Sequence, residues 1–370
     1  MVAAAMVLIA GCGPTATSAG QLGWRVVATV PGRDNVTELF GVTAAGTSAA
    51  WATGISEQRG TSTVVPVLES WSGSAWSRVT LPRAVAAKLG SDPRLGAVAA
   101  SGPHDVWAFG PRGAWLHGSG SVWTAGMISR SPVDVRSALA FGSDTVWALG
   151  GLARANGRSV PFAAYQGPDG WIRTTVPGQG TIVDASAVSA SDFWATVQTL
   201  TPGGRATSDE LAHWQRGRWQ TVTGLPAVLR SGSFGAVLAF SDADVWLGGA
   251  RKNGMGGTTE TVGHWNGHRW TVTTLRVTAS PARYAIARMV PDGSGGIWAL
   301  GVREQGTAPE PLSRLWHETG DIWTLPYQPR LTSASTMVIG LAAAGRSVWA
   351  VGMVRAANHG TDGLIALWGR

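Results

Sequence analysis

The histidines and the cysteine are the first residues to consider for chemistry, because they ligate metals and act as nucleophiles or bases. The seven histidines are His104, His117, His213, His264, His268, His317 and His359. No pair of them has a zinc-ligand spacing that further Cys or His residues support, and Cys12 is the single cysteine. His213 and His264 both precede a tryptophan at the same place in a repeat, which favours a structural role. The sequence therefore predicts no metal site, no cofactor and no assigned catalytic residue.

Five aspartates form a second set of candidates, since each occupies the same kind of turn. They are Asp105, Asp144, Asp192, Asp244 and Asp292. Aspartate in a turn commonly accepts hydrogen bonds from nearby backbone N–H groups, so we expect these carboxylates to stabilise turns. The run Gly293-Ser294-Gly295-Gly296 has no lysine and no following helix, and we expect a turn there rather than a phosphate loop.

A tryptophan-marked repeat supplies the elements that must position these residues. The phrase Trp-Ala-x-Gly, or a close variant, has its tryptophan at Trp51, Trp107, Trp147, Trp194, Trp246, Trp298 and Trp349. Each unit contains four short apolar or alternating runs separated by turn residues, which is typical of strands. Four antiparallel strands in each of seven radially repeated units predict an all-β fold, a seven-bladed β-propeller. Most of the 20 tryptophans are then expected to pack within and between blades.

The two ends of the chain complete one unit between them. The seventh unit ends at Leu367-Trp368-Gly369-Arg370 and lacks a fourth strand. A matching strand occurs at the other end, from Gly23 to Pro31. We therefore predict that the N-terminal strand joins the last blade and closes the ring, with Trp24 beside Trp368.

Paired aromatic residues around a glycine turn follow several copies of the Trp-Ala-x-Gly phrase, as in His213-Trp214-Gln215-Arg216-Gly217-Arg218-Trp219. With that phrase, they resemble kelch and galactose-oxidase-type propeller repeats across residues 21–370. The resemblance implies the propeller fold. It does not extend to galactose oxidase chemistry, which uses a copper site with a tyrosine linked to cysteine, because only Tyr165, Tyr284 and Tyr327 are present and Cys12 has another expected role.

Residues 1–11 are apolar and uncharged, too short to span a bilayer, and typical of a signal-peptide hydrophobic region. The sequence Ile9-Ala10-Gly11-Cys12 is similar to the lipobox of bacterial lipoproteins, which implies a lipid on Cys12. Residues 12–20 then form a flexible tether and residues 21–370 a single propeller domain. This predicts an extracytoplasmic protein, lipid-anchored to the bacterial cell membrane or secreted. The alternative is an apolar terminus with an incidental cysteine.

The net charge of +7 and the unequal loops suggest which face could bind a partner. Loops from second to third strands are long, and they share a face with the connections between units. Four arginines just before first strands are the candidate ligand-binding residues on that long-loop face: Arg94, Arg230, Arg283 and Arg330. The alternative is that they are ordinary solvated arginines. Nucleic acid is disfavoured, because an exported protein rarely meets it and no reader motif occurs.

These features predict a monomeric, non-enzymatic binding or scaffold module for a protein, a glycan or another anionic cell-envelope component. The alternative is a carbohydrate-active enzyme, a hydrolase or lyase, whose acid and base come from different blades at the channel mouth. Sequence spacing cannot show such a pair. Two facing carboxylates in the channel would favour the enzyme, whereas a lining of alanine, serine and glycine would favour the binding module.

Overall fold

A computed structural model of the 370-residue chain gives the arrangement of its strands. It describes residues 22–32, 35–58, 60–61, 63–142, 145–154, 157–200, 206–252, 258–275, 282–305, 311–328, 330–355 and 360–369. The predicted signal segment, the tether, Cys12 and Asp144 lie outside these residues. Much of the long-loop face, including residues 201–205, 253–257 and 306–310, also lies outside them.

The described strands follow the predicted grouping, and units are numbered here by their Trp-Ala-x-Gly copy. Strand β1 is Gly23–Val30. Unit 1 contains β2 (Asn35–Ala44), β3 (Ala50–Gln58), β4 (Val64–Trp71) and β5 (Trp76–Arg78). Unit 2 contains β6 (Ala97–Gly102), β7 (Asp105–Phe109), β8 (Ala114–Ser119) and β9 (Val122–Met127). Unit 3 contains β10 (Val133–Ala140), β11 (Val146–Ala153), β12 (Ser159–Gly167) and β13 (Gly170–Thr174).

The second half of the chain continues in the same way. Unit 4 contains β14 (Thr181–Ser189), β15 (Asp192–Leu200), β16 (Ala206–Gln215) and β17 (Arg218–Thr221). Unit 5 contains β18 (Ser233–Ser241), β19 (Asp244–Lys252), β20 (Thr258–Trp265) and β21 (Trp270–Thr274). Unit 6 contains β22 (Arg283–Pro291), β23 (Ile297–Gln305), β24 (Ser313–Thr319) and β25 (Ile322–Thr324). Unit 7 contains β26 (Thr336–Ala344), β27 (Ser347–Arg355) and β28 (Thr361–Gly369).

Units 2 to 6 each form one four-stranded antiparallel sheet, and units 1 and 7 share an eight-stranded sheet. The junction in the shared sheet is one parallel bridge, from Val36 to Thr361. β1 pairs with β28 in the antiparallel sense, which sets Trp24 opposite Trp368. Within the described ranges, no sheet closes on itself. The molecule is therefore all-β and built from four-stranded groups.

Neighbouring units are held together by tryptophans and small aliphatic residues. In the core between units 5 and 6, Trp246 packs with Ile286 and Ile297. At the junction of units 6 and 7, the Trp298 ring lies 5.2 Å from that of Trp24 and 4.8 Å from that of Trp368. Because a buried aromatic side chain removes roughly 150–250 Å² of surface from water, these contacts form a large share of the core.

Helices are confined to connections. The α-helices are α1 (Arg83–Ala86) and α2 (Ala227–Arg230), and the 3-10 turns are Ala87–Leu89 and Pro111–Gly113. Both α-helices follow a proline, whose fixed φ favours the first helical turn. Among the described residues, no helix has the length and apolar character that crossing a bilayer requires.

Candidate functional site

The first strands of all seven units line a cavity of about 490 Å³. Its lining runs from the middle of these strands to the turns that lead into the second strands. Small side chains form much of the wall, among them Gly41, Ala97, Ser137, Ala185, Ser186 and Gly340. Because the long loops join the opposite ends of the strands, the cavity lies away from the predicted long-loop face.

A bulge at the same position shapes six of these seven first strands. Each bulge leaves one residue without a partner on the second strand: Phe40, Arg136, Val183, Gly235, Ala287 and Ile339. A bulge bends the strand and redirects the side chains beside it. The bulged residues differ in size and charge, and Phe40 and Arg136 are both in the cavity lining.

The bulge explains the glycine of the Trp-Ala-x-Gly phrase. Gly54 pairs with Leu39, just before the bulge of β2, and a Cβ added to Gly54 would lie 1.9 Å from the Glu38 carbonyl oxygen. The same contact, also 1.9 Å, would occur at Gly150 and at Gly352. No side chain fits at that distance. In these units the motif glycine leaves room for the bulged first strand, whereas unit 4 has Val197 opposite its bulge.

The most buried charges in the cavity are Asp184 of unit 4 and Arg288 of unit 6. Nη1 of Arg288 donates to Oδ1 of Asp184, across the first strand of unit 5. Oδ2 of Asp184 accepts a hydrogen bond from the Val237 backbone N–H, at 3.1 Å. Between the two charged residues, unit 5 has the small Ala236 at the equivalent position. One ion pair therefore spans three neighbouring first strands.

The two partners of this ion pair differ in their exposure. The Asp184 side chain is 7% exposed, whereas that of Arg288 is 31% exposed and reaches the cavity. Burial lowers the pKa of the Arg288 guanidinium from its ordinary value. Arginine keeps its proton in proteins, so Arg288 presents a cation to Asp184. A second cation in the lining, Arg136, contacts the exposed carboxylate of Asp134 at 2.6 Å.

Outside the cavity, four units share a group made of one aspartate, one histidine and the motif tryptophan. The histidine ring stacks on the tryptophan in Trp107–His117, Trp194–His213, Trp246–His264 and Trp298–His317, with centroids 3.8–4.2 Å apart. Nε2 of each histidine lies 2.7–2.9 Å from a carboxylate oxygen, of Asp105, Asp192, Asp244 and Asp292 respectively. These four groups repeat the same contacts in units 2, 4, 5 and 6.

These contacts correct the expected role of the turn aspartates. Asp292 does accept the predicted backbone hydrogen bonds, from Ser294 and Gly296 at 2.7 and 2.8 Å. Asp105, Asp192 and Asp244 instead use their carboxylates on the histidines. These three aspartates are the first residues of β7, β15 and β19, where strand register sets each histidine directly opposite the motif tryptophan two residues on, whereas Asp292 precedes its turn.

The four predicted arginines are not gathered in the cavity. Arg94 is about half exposed and lies 3.5 Å from Asp92 and 3.8 Å from Glu57. Arg283 is the first residue of β22, and its charge opposes the rise that burial causes in the pKa of Glu304. The other two are exposed residues of connecting segments: Arg230 ends α2, and Arg330 lies in a turn. Their role in binding stays a prediction.

The sequence contained a signal for the Asp184–Arg288 pair that composition alone does not show. When the units are aligned on the motif tryptophan, the residue ten positions earlier is Gly41, Ala97, Ser137, Asp184, Ala236 or Arg288 in units 1 to 6. Two opposite charges therefore interrupt a column of small residues. Their contact across unit 5 depends on the curvature of the whole assembly and could not be read from the alignment.

No family model and no curated protein matches this chain. Solved structures do match it in shape. YCF48 bound to D1 peptide has a TM-score of 0.60 and 14% identity, covering 94% of this chain and 97% of that one. The WD40 repeats of RRP9 give 0.58 and 11%, covering 95% and 100%. The β-propeller domain of the Trilobed protease from Pyrococcus furiosus, with an open velcro topology, gives 0.53 and 10%, covering 90% and 95%.

These matches cover 90–95% of this chain. At 10–14% identity they show architecture alone. The kelch-type resemblance and the lipoprotein assignment stay predictions. The comparisons and the strand arrangement together give the conclusion that the chain has the β-propeller fold.

Proposed function

We propose that this chain is a non-enzymatic binding module, with the central cavity as its ligand site. The observation that carries the proposal is the cavity wall. Alanine, glycine and serine make up 12 of its 27 lining residues and larger apolar side chains most of the rest, while the one carboxylate among the described lining residues, Asp184, is already paired with Arg288. This is the lining that favours binding over acid–base chemistry.

Hydrolysis of a glycosidic bond would require different catalytic side chains in the cavity wall. Most glycosidases use two carboxyl groups about 5–9.5 Å apart, one as acid and one as base or nucleophile. Asp184 is the one carboxyl group among the described lining residues, and its two oxygens already accept hydrogen bonds from Arg288 and from the Val237 N–H. The described lining therefore supports the binding module over the carbohydrate-active enzyme.

The ligand that this wall suits best is a peptide segment with an acidic side chain or a free carboxyl end. Arg288 is paired with Asp184 and Arg136 with Asp134, and each guanidinium has further N–H groups that can donate to a ligand carboxylate. Small side chains leave room for a main chain to approach the strands. One of the similar structures, YCF48 bound to D1 peptide, has a peptide ligand, which is consistent with a peptide partner for this chain.

The proposed architecture is a seven-bladed ring in which β1 supplies the fourth strand of unit 7. Its support is the antiparallel pairing of β1 with β28 and the packing of Trp24 against Trp298. We also propose that the mature chain is attached to the outer side of a bacterial membrane through a lipid on Cys12. Labelled fatty acid should be incorporated by the native chain and not by Cys12→Ser.

The binding proposal is tested by selecting displayed peptides against the full chain carrying Cys12→Ser. Affinities of the selected peptides are then measured for the double variant Asp184→Asn/Arg288→Met, which removes both charges of the Asp184–Arg288 pair and so leaves neither of them unpaired. We expect binding at least about 10-fold weaker, since charged hydrogen bonds contribute roughly 1.5–3 kcal/mol. The control is Arg330→Gln, which lies outside the cavity and should bind as the parent does. Equal affinity for the parent and the double variant would contradict the proposal.

A further inference from the structure

The Asp–His pair of unit 4 has a third partner. Oδ1 of Asp192 lies 2.7 Å from Nε2 of His213. Oδ1 of Asp242, which belongs to the turn between β18 and β19 of unit 5, lies 3.7 Å from the same nitrogen. One donor atom from each residue lies within 4.8 Å of the others. Two neighbouring units thus direct two carboxylates and one imidazole at a single point.

Surrounding contacts hold these side chains in place. The His213 ring stacks on Trp194 with centroids 3.9 Å apart, which fixes the ring plane. Nε2 of Gln215 donates to Oδ2 of Asp242 at 2.8 Å, and Nε1 of Trp265 donates to the Asp242 backbone carbonyl at 3.1 Å. Such outer contacts are what orient ligand side chains in metal sites. The Oδ1 atom of Asp242 is left facing His213.

The repeat shows that this third group is a departure from the common pattern. Asp242 is three residues before the first apolar residue of its second strand, Val245. At the same position, units 3, 6 and 7 have Ser143, Ser294 and Gly345. Units 2, 5 and 6 form the Asp–His–Trp group without an equivalent carboxylate, so that group does not require Asp242.

We propose that Asp192, His213 and Asp242 bind a first-row divalent transition-metal ion of the zinc type. Ligand atoms about 2.1 Å from a tetrahedral metal lie about 3.4 Å apart, close to the 3.7 Å between Asp242 and His213. Coordination requires His213 to carry its proton on Nδ1, and the Asp192–His213 hydrogen bond must open by about 0.7 Å. Water completes the fourth position, and the half-exposed Asp242 side chain gives access from solvent.

The ligand atoms, two carboxylate oxygens and one imidazole nitrogen, indicate which metals the site would bind. Calcium and magnesium take oxygen ligands almost exclusively, whereas imidazole nitrogen is a preferred ligand of zinc, copper, nickel and iron. An imidazole at the centre of the cluster therefore favours a transition metal. Sequence spacing gave no sign of the site, since its three ligands come from three separate turns and strands of two units.

The test is a titration of Zn²⁺ alone into the full, untagged chain carrying Cys12→Ser, so that no thiol competes. We expect one ion per chain, a rise in Tm with zinc, at least about 10-fold weaker binding in Asp242→Asn and no specific binding in His213→Gln. Asp242 is exposed enough that Asp242→Asn should fold normally, which keeps the test valid if His213→Gln does not fold.

The matched control is Asp105→Asn, which breaks the equivalent pair with His117 in unit 2 and should leave zinc binding unchanged. Absence of saturable zinc binding by the parent, or equal affinity in Asp242→Asn, would overturn the proposal. The same titration with Ca²⁺ tests the choice of metal. Calcium binding as tight as that of zinc and unaffected by His213→Gln would overturn the transition-metal assignment.

Discussion

The first and second strands of the units differ in how far they repeat. Second strands carry the Trp-Ala-x-Gly phrase or a close variant in every unit, and their motif tryptophans pack against histidines, neighbouring strands and other aromatic rings. First strands share a bulge in six units, yet the residue after it is Gly41, Ser137, Asp184, Ala236, Arg288 or Gly340. The same backbone is thus combined with different side chains.

This contrast separates scaffold from site. A residue that makes the same packing contact in each unit is constrained by that contact alone, and it says little about a ligand. A position in the cavity lining makes no such repeated contact, so it can be a charged residue in one unit and glycine in another. The specific chemistry of the molecule is therefore expected around the cavity and at departures from the repeat, such as Asp242.

The largest effect should come from removing the strand that completes unit 7. Deletion of residues 21–31 takes away β1, and with it Trp24, so that Trp298 and Trp368 lose a packing partner. We expect Tm to fall by about 10 °C or more, because several kcal/mol of apolar burial are lost. Differential scanning calorimetry measures it. Deletion of residues 13–20, which keeps β1, is the control, and an unchanged Tm in the 21–31 deletion would count against the ring.

The bulge and its glycine give the next largest effect. Gly54→Ala would place a Cβ 1.9 Å from a backbone oxygen, so we expect about 3 kcal/mol of destabilisation in urea unfolding. Gly110, at the same motif position in unit 2, faces no bulge, and its nearest neighbour would be Leu89 Cδ2 at 3.2 Å. Gly110→Ala should cost less than about 1 kcal/mol. Similar losses of unfolding free energy in Gly54→Ala and Gly110→Ala would contradict the connection between the motif glycine and the bulge.

The cavity ion pair should give a smaller and reversible effect. Arg288→Met leaves Asp184 buried without its cation, and because Arg288 is partly exposed we expect a loss of about 2–3 kcal/mol. Adding Asp184→Asn removes the stranded charge, and the asparagine oxygen can still accept the Val237 N–H. The double variant should regain most of the loss in urea unfolding. A double variant as unstable as Arg288→Met would mean that packing, not charge, is what Arg288 supplies.

Folding stability should depend on pH where β16, the third strand of unit 4, contacts β18, the first strand of unit 5. Asp209 on β16 accepts the backbone N–H of Phe234 on β18, and burial raises its pKa to about 6. The ordinary aspartate pKa is near 3.8, so between about pH 4 and 6 the folded state binds a proton that the unfolded chain has lost. Folding stability contributed by this group therefore falls as pH rises through that interval.

Asp209→Asn removes this titration. At each pH, the free energy of unfolding is measured in urea for Asp209→Asn and for the parent. The value for Asp209→Asn minus that for the parent should rise by up to about 2 kcal/mol from pH 4 to pH 7. Asp134→Asn is the control, since that carboxylate is more than half exposed. A stability difference that does not change with pH would contradict the assignment to Asp209.

The structural features that could be predicted from the sequence are those for which the same contacts recur from unit to unit. The tryptophan spacing located the second strand of each unit, from β3 to β27, and the valine- and threonine-rich run at residues 23–31 predicted β1. Local pattern sufficed there because each strand buries the same kind of side chain on the same face. The histidine partner of each turn aspartate was harder to predict, since it lies on the third strand of the unit, 12 to 25 positions further along the chain.

The Asp184–Arg288 contact in the candidate site was not predicted, because its two residues are far apart in the sequence. Asp184 and Arg288 lie 104 positions apart and meet because the first strands of three units curve around one cavity. Nothing local to either residue encodes that curvature. The charge of the loop arginines was visible in the sequence, but Arg94 lies beside Glu57 and Asp92, and Arg283 beside Glu304, so acidic neighbours offset part of it.

The central claim, that recognition resides in the cavity and not on the long-loop face, is tested by one comparison of peptide affinities. Isothermal titration of a selected peptide is carried out on the cavity variant Arg136→Gln/Asp184→Asn/Arg288→Met. The same titration is carried out on the loop variant in which Arg94, Arg230, Arg283 and Arg330 are all glutamine. We predict that the cavity variant loses at least 10-fold in affinity, roughly 1.4 kcal/mol, while the loop variant stays within about 2-fold of the parent. The reverse order of losses would contradict the account.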